Sequence, residues 1–167
     1  MPLTPLHTGA SIFLGSLTHR KTNIIALILG SFMLDFEPLL IIIFKGCYYC
    51  SHHSFFHSIP GAFFGSFIIA YVLYILKKPA EKLLLKFNLR QSFSSRTLYL
   101  SVFLGWLTHV FFDSLINTDV YPFFPLSYNP FLIGKSVYWP INIILGVMLI
   151  SGLIIFFIKI KKEKTNA

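Results

Sequence analysis

Charge is scarce in this sequence. Only 12% of its 167 residues are Asp, Glu, Lys or Arg, against about 25% in an ordinary soluble domain. That is too little to cover a water-exposed globule, and it excludes a conventional soluble fold. Acids are scarcest, six against fourteen Lys and Arg. The familiar catalytic motifs are also missing: no HExxH, no GxSxG elbow, no P-loop and no Gly-rich dinucleotide turn. Two cysteines form a single Cys47-Tyr48-Tyr49-Cys50. Ser51 separates that pair from His52, which excludes the haem attachment signature, and no second pair exists to complete a zinc ribbon. The pair reads as a local disulfide or two free thiols, with a ligand or redox role as the alternative.

Apolar residues make up 55% of the chain, including nineteen Phe and eight Tyr. A bilayer-spanning helix needs about 20 consecutive apolar residues. Segments 58–76 and 137–158 meet this without interruption, while 22–44 and 97–117 meet it with ionisable residues inside. Segment 8–18 is apolar but short. The expected architecture is one all-α domain, a helical membrane bundle of four or five segments, with a basic linker at 77–96 and a tail at 159–167. Met1 leads into the first apolar run without a basic stretch, so the membrane segments themselves are expected to serve as the targeting signal.

The net charge of +8 does not indicate a nucleic-acid partner, because the basic residues sit at the ends of apolar runs. Under alternating topology, twelve of the fourteen fall on one side, and only Lys45 and Lys135 on the other. The linker and the C-terminus are therefore expected in the cytoplasm.

Of the acids and histidines, Glu81 and Glu163 lie among lysines, His19 belongs to a basic turn, and Asp119 lies in an outer loop. The others, His7, Asp35, Glu37, His52, His53, His57, His109 and Asp113, fall at the outer ends or in the middle of apolar segments. An ionised side chain at mid-membrane costs roughly 2.5–3.5 kcal/mol, so Asp35 and Asp113 need an offsetting partner. A divalent cation supplies one by turning carboxylates and imidazoles into ligands. His109 and Asp113, four apart, share one face of a helix, as do His53 and His57. Asp35 and Glu37, two apart, point in roughly opposite directions on a regular helix, and Pro38 is expected to break the helix there. His53 reads as structural, and a hydrogen-bonded pair between helices is the alternative for His109 and Asp113. Ser58 and Ser114 lie close to these residues, but no Ser-His-Asp arrangement follows from the sequence.

Pro5-Leu6-His7, Met33-Leu34-Asp35-Phe36-Glu37, His52-His53-Ser54-Phe55-Phe56-His57-Ser58 and His109-Val110-Phe111-Phe112-Asp113 occur in that order. The array resembles the YdjM-like membrane-bound metal-dependent hydrolases of bacteria and archaea. It is more distantly similar to the all-helical zinc-dependent phospholipase C and S1/P1 nuclease proteins. The resemblance runs from His7 to Pro122-Phe123-Phe124-Pro125 and implies a multi-pass protein of the prokaryotic inner membrane. Carried over by motif, the metal positions are His7, Asp35, His52, His57, His109 and Asp113, with Zn²⁺ the best match to an imidazole and carboxylate set. Glu37 stands where the family has a second Asp, Pro38 replaces its His, and His53 replaces its Arg. Glu37 and Asp113 are the expected catalytic carboxylates. The expected function is metal-dependent hydrolysis of a phosphoester or lipid-like substrate at the non-cytoplasmic interface, with membrane lipid as the partner and no nucleic acid. The alternatives are a divalent-cation transporter, or a non-catalytic membrane protein whose polar cluster locks its helices.

Overall fold

The computed structural model describes residues 4–18, 21–37, 43–44, 55–86 and 91–165. Among the described residues the main α-helices are α1 (Thr4–Leu17), α2 (Ile24–Phe32), α3 (Ile59–Ile75), α4 (Lys77–Lys86), α5 (Ser95–Ile116) and α6 (Tyr138–Thr165). Short 3₁₀ turns cover Met33–Asp35, Phe55–His57 and Lys135–Val137. No strand occurs among the described residues.

Helices α5 and α6 are long and apolar enough to cross a membrane, and a third span results if α3 and α4, bent by 70°, count as one. Of the four or five segments expected from the sequence, the described residues support these two or three as spans. Segment 8–18 matches the 14-residue α1 as far as Leu17, and the described part of segment 22–44 before residue 38 holds the 9-residue α2, one 3₁₀ turn and helical residues 36–37. The basic linker holds a helix of its own, α4.

Helix α5 is the centre of the bundle. It packs against both α2 and α3, while α1 lies between α6 and α2. Polarity is distributed inside out. Ser11, Ser31, Ser66, Ser101, Asn23 and Asp113 are buried, whereas Phe64, Ile68, Tyr71, Ile143, Val147 and Phe157 are exposed. Such an exterior suits a hydrocarbon solvent, in which apolar surface needs no covering.

Helix association without a hydrophobic driving force relies on close backbone approach through small residues. Helices α2 and α5 achieve it reciprocally. A Cβ on Gly30 would stand 2.2 Å from the Val102 carbonyl oxygen, and one on Gly105 would stand 2.1 Å from that of Leu27. Gly9 and Gly152 bring α1 and α6 together in the same manner.

Helix ends in apolar surroundings must satisfy their own backbone groups. Asn23 caps α2 by accepting from the Ala26 N–H at 3.1 Å. Its side chain donates to the Ser92 carbonyl, its backbone N–H donates to Ser101 Oγ, and the Ile24 N–H donates to Gln91 Oε1. At the same end, Lys159 Nζ donates to the Ser16 and Leu17 carbonyls and so closes the C-terminus of α1.

Replacing Gly105 with Ala is expected to destabilise the protein by about 1–3 kcal/mol through overpacking, lowering the thermal unfolding midpoint in detergent. Gly146→Ala, where a Cβ meets nothing within 4 Å, is expected to leave that midpoint unchanged.

Candidate metal centre

Four stretches of the chain converge at the other end of the bundle, and each holds its residue by a local device. His7 lies in the second turn of α1, and Ser31 of α2 donates its hydroxyl to the His7 carbonyl at 3.2 Å. His57 closes a 3₁₀ turn that is pinned from both sides. Trp106 Nε1–H of α5 donates to the Phe56 carbonyl at 2.8 Å. Ser58, the N-cap of α3, donates to the Phe55 carbonyl and accepts from the Gly61 N–H. His109 and Asp113 project from one face of α5. Beyond them, Asn129 donates to the Ser114 carbonyl at 2.7 Å and folds the outer loop back onto the helix end.

The Asp113 carboxylate sits at the centre. His7 Nε2 is 3.4 Å from its Oδ1, and His109 Nε2 is 3.2 Å from its Oδ2. His57 Nε2 approaches the same Oδ2 at 3.9 Å, and Asp35 Oδ1 lies 3.8 Å from His109 Nε2. The His7 and His109 rings stack with centroids 4.0 Å apart, and the His57 ring meets His109 edge-on at 5.5 Å. All three imidazoles and Asp113 are buried.

These residues fit a divalent ion. Neither ring nitrogen of His7 or of His109 makes a hydrogen bond of good geometry, although buried polar atoms are normally paired. Ligand atoms of His7, His109 and Asp113 lie within 4.8 Å of one another, so one ion can reach all three. Among the described residues this is the group that can hold a metal ion.

Glu37 occupies a different position. Its Oε2 is 2.5 Å from His57 Nδ1, on the far side of the ring from Asp113. A carboxylate on the second nitrogen of an imidazole fixes the tautomer and aims the first nitrogen at a metal.

Of the residues singled out from the sequence, His7, Asp35, His57, His109 and Asp113 come together, with Glu37 behind His57. His52, His53, Cys47, Cys50 and Pro38 lie outside the described residues. The Ser58 and Ser114 hydroxyls both donate to backbone carbonyls, which assigns them to local structure. The supports from Ser31, Trp106 and Asn129 carry no sequence signal, because each reaches a distant part of the chain.

The detergent-purified wild type is expected to carry a stoichiometric divalent ion and the double variant His57→Ala/His109→Ala to lack it, as read by elemental mass spectrometry. Glu37→Gln is expected to keep the ion but bind it about 10–100-fold more weakly, as read by competition with a chromogenic chelator.

No curated protein and no solved structure matches the chain significantly. A family model described as the YdjM inner membrane protein matches residues 3–166. With apolar helices around a buried polar cluster, and a match over nearly its whole length, the chain belongs to the YdjM inner membrane protein family.

Proposed function

We propose that the protein is a membrane-embedded metal-dependent hydrolase acting on a phosphoester or lipid-like substrate at the non-cytoplasmic face. The convergence of three buried imidazoles on Asp113, with the ring nitrogens of His7 and His109 lacking hydrogen bonds, carries this reading. His7, His57, His109, Asp113 and Asp35 would hold the ion, with His52 added from the family pattern. Zinc suits this mixture of nitrogen and oxygen donors. Bound there, a divalent ion supplies Lewis acidity and a nucleophile at neutral pH.

The protein's own groups divide the remaining work. Asp113 is fully buried, whereas 12% of the Glu37 side chain is exposed. Of these two, Glu37 is the carboxylate that water can reach, and we assign it the role of general base alongside its grip on His57. Asp113 gathers the imidazoles and balances their charge when they are protonated.

The surroundings favour a substrate with an apolar portion. The loop after α5 exposes Phe123, Phe124, Leu126, Tyr128, Leu132 and Ile133. The loop is tied to the site by Ile59 N–H donating to the Pro122 carbonyl at 2.8 Å, next to Ser58. An apolar, aromatic rim of this kind belongs at the level of lipid headgroups. With the site outside, the lysines at the opposite end support a cytoplasmic C-terminus. A cation conduit would need ligands along the full depth of the bundle, but the described imidazoles and carboxylates of the cluster gather at one end.

Metal-loaded protein in mixed micelles is expected to hydrolyse at least one of three probes: a phosphatidic acid, a phosphatidylglycerol or bis-p-nitrophenyl phosphate. Chelation should abolish turnover and restoring the ion should recover it, while Asp113→Asn should lower the rate by about a thousandfold or more. Metal-loaded protein that turns over none of the three would refute the assignment.

A further inference from the structure

A second feature lies at the basic end of the bundle. Arg96 is near the start of α5 and Asp113 lies seventeen residues further on, about 25 Å away at 1.5 Å per residue. Here α3 and the first turns of α5 enclose an open crevice of about 560 Å³, lined by Phe67, Ala70, Tyr71, Tyr74, Arg96 and Tyr99. No acidic side chain among the described residues lines it.

Its chemistry has two halves. One half is cationic: Arg96 is exposed at the rim, and Lys77, beside the lining rather than part of it, has its Nζ 4.3 Å from the centroid of the Tyr74 ring, which does line the crevice. The Tyr99 hydroxyl, buried at the atom level, has no hydrogen-bond partner, which leaves a donor aimed at no acceptor. The other half is apolar: Phe67 and Tyr71 are mostly exposed, and Phe67 packs on the Tyr99 ring at 4.4 Å. A soluble anion would use the first half and leave the second empty. An anionic phospholipid uses both, because arginine and lysine recognise its phosphate and the aromatic wall receives a chain.

We propose that this crevice binds one anionic phospholipid, its phosphate held by Arg96, Lys77 and the Tyr99 hydroxyl, and an acyl chain lying over Phe67, Ala70 and Tyr71. The site is separate from the imidazole cluster and does not depend on how that cluster is used.

Native mass spectrometry of the detergent-purified full chain tests this, using phosphatidylglycerol and phosphatidylcholine with identical acyl chains. One phosphatidylglycerol per chain is expected to bind in preference to phosphatidylcholine. Lys77→Gln/Arg96→Gln should weaken it about tenfold or more, and Tyr99→Phe should weaken it by a smaller factor. Lys82→Gln/Lys86→Gln removes the same charge from exposed positions outside the crevice and should change nothing. His57→Ala/His109→Ala should also bind the lipid normally. Equal retention of the two lipids would overturn the proposal. An equal loss in the Lys82/Lys86 variant would replace it with diffuse surface attraction. Displacement by glycerol phosphate at matched concentration would replace it with a soluble-anion site.

Discussion

A fully buried carboxylate surrounded by three imidazoles is the constraint to which the rest of this small bundle answers. Asp113 is inaccessible, and its neighbours come from α1, from the turn before α3, and from α5 itself. Ionised and alone in an apolar interior, that carboxylate would be strongly disfavoured. Its acceptable state therefore requires His7, His57 and His109 to arrive together. The burial cost of one group thus couples segments separated by up to about a hundred residues in sequence.

That coupling needs close helices, and the glycines provide them. Gly30 and Gly105 let the backbones of α2 and α5 touch, which carries Asp35 toward His109. Larger residues there would push α2 outward. Lys159 and the Asn23 network close the opposite end with charged and amide groups instead of imidazoles. The two ends thus divide the charged chemistry: buried ionisable groups gather where the imidazoles lie, and solvated cations collect where the loops are basic.

The sequence made much of the site legible because its parts obey local spacing or violate a strong rule. His109 and Asp113 are four apart, and helical geometry alone puts them on one face. Asp35 and His57 stood out because an apolar segment should not contain them. The supports were invisible. Trp106 reaches Phe56, Ser31 reaches His7, and Asn129 reaches Ser114, and no helical periodicity encodes contacts at separations of 15 to 50 residues. Hydropathy was a good guide to where helices lie and a poor one to their lengths. A 3₁₀ turn follows α2 at Met33 within what reads as one 23-residue apolar stretch.

The pair Asp35 and Glu37 shows why spacing two apart can serve a site better than spacing four apart. On a helix such residues diverge, and from sequence that looked like a difficulty for which a break at Pro38 was the remedy. Pro38 lies outside the described residues; before it the chain tightens into the 3₁₀ turn Met33–Asp35, and Phe36 keeps a similar conformation at φ −70° and ψ −28°. With three residues per turn, positions three apart eclipse. Met33 and Phe36 then share one face and are both exposed, while Leu34 and Glu37 share a second, inward face. Asp35 occupies a third face alone. The end of α2 lies between α5 and the turn that carries His57, so the two divergent faces both point at imidazoles: Asp35 at His109, Glu37 at His57. Two acids two residues apart thereby serve two histidines on different elements. A pair of acids at i and i+4 would place both carboxylates on one face and reach only one of them.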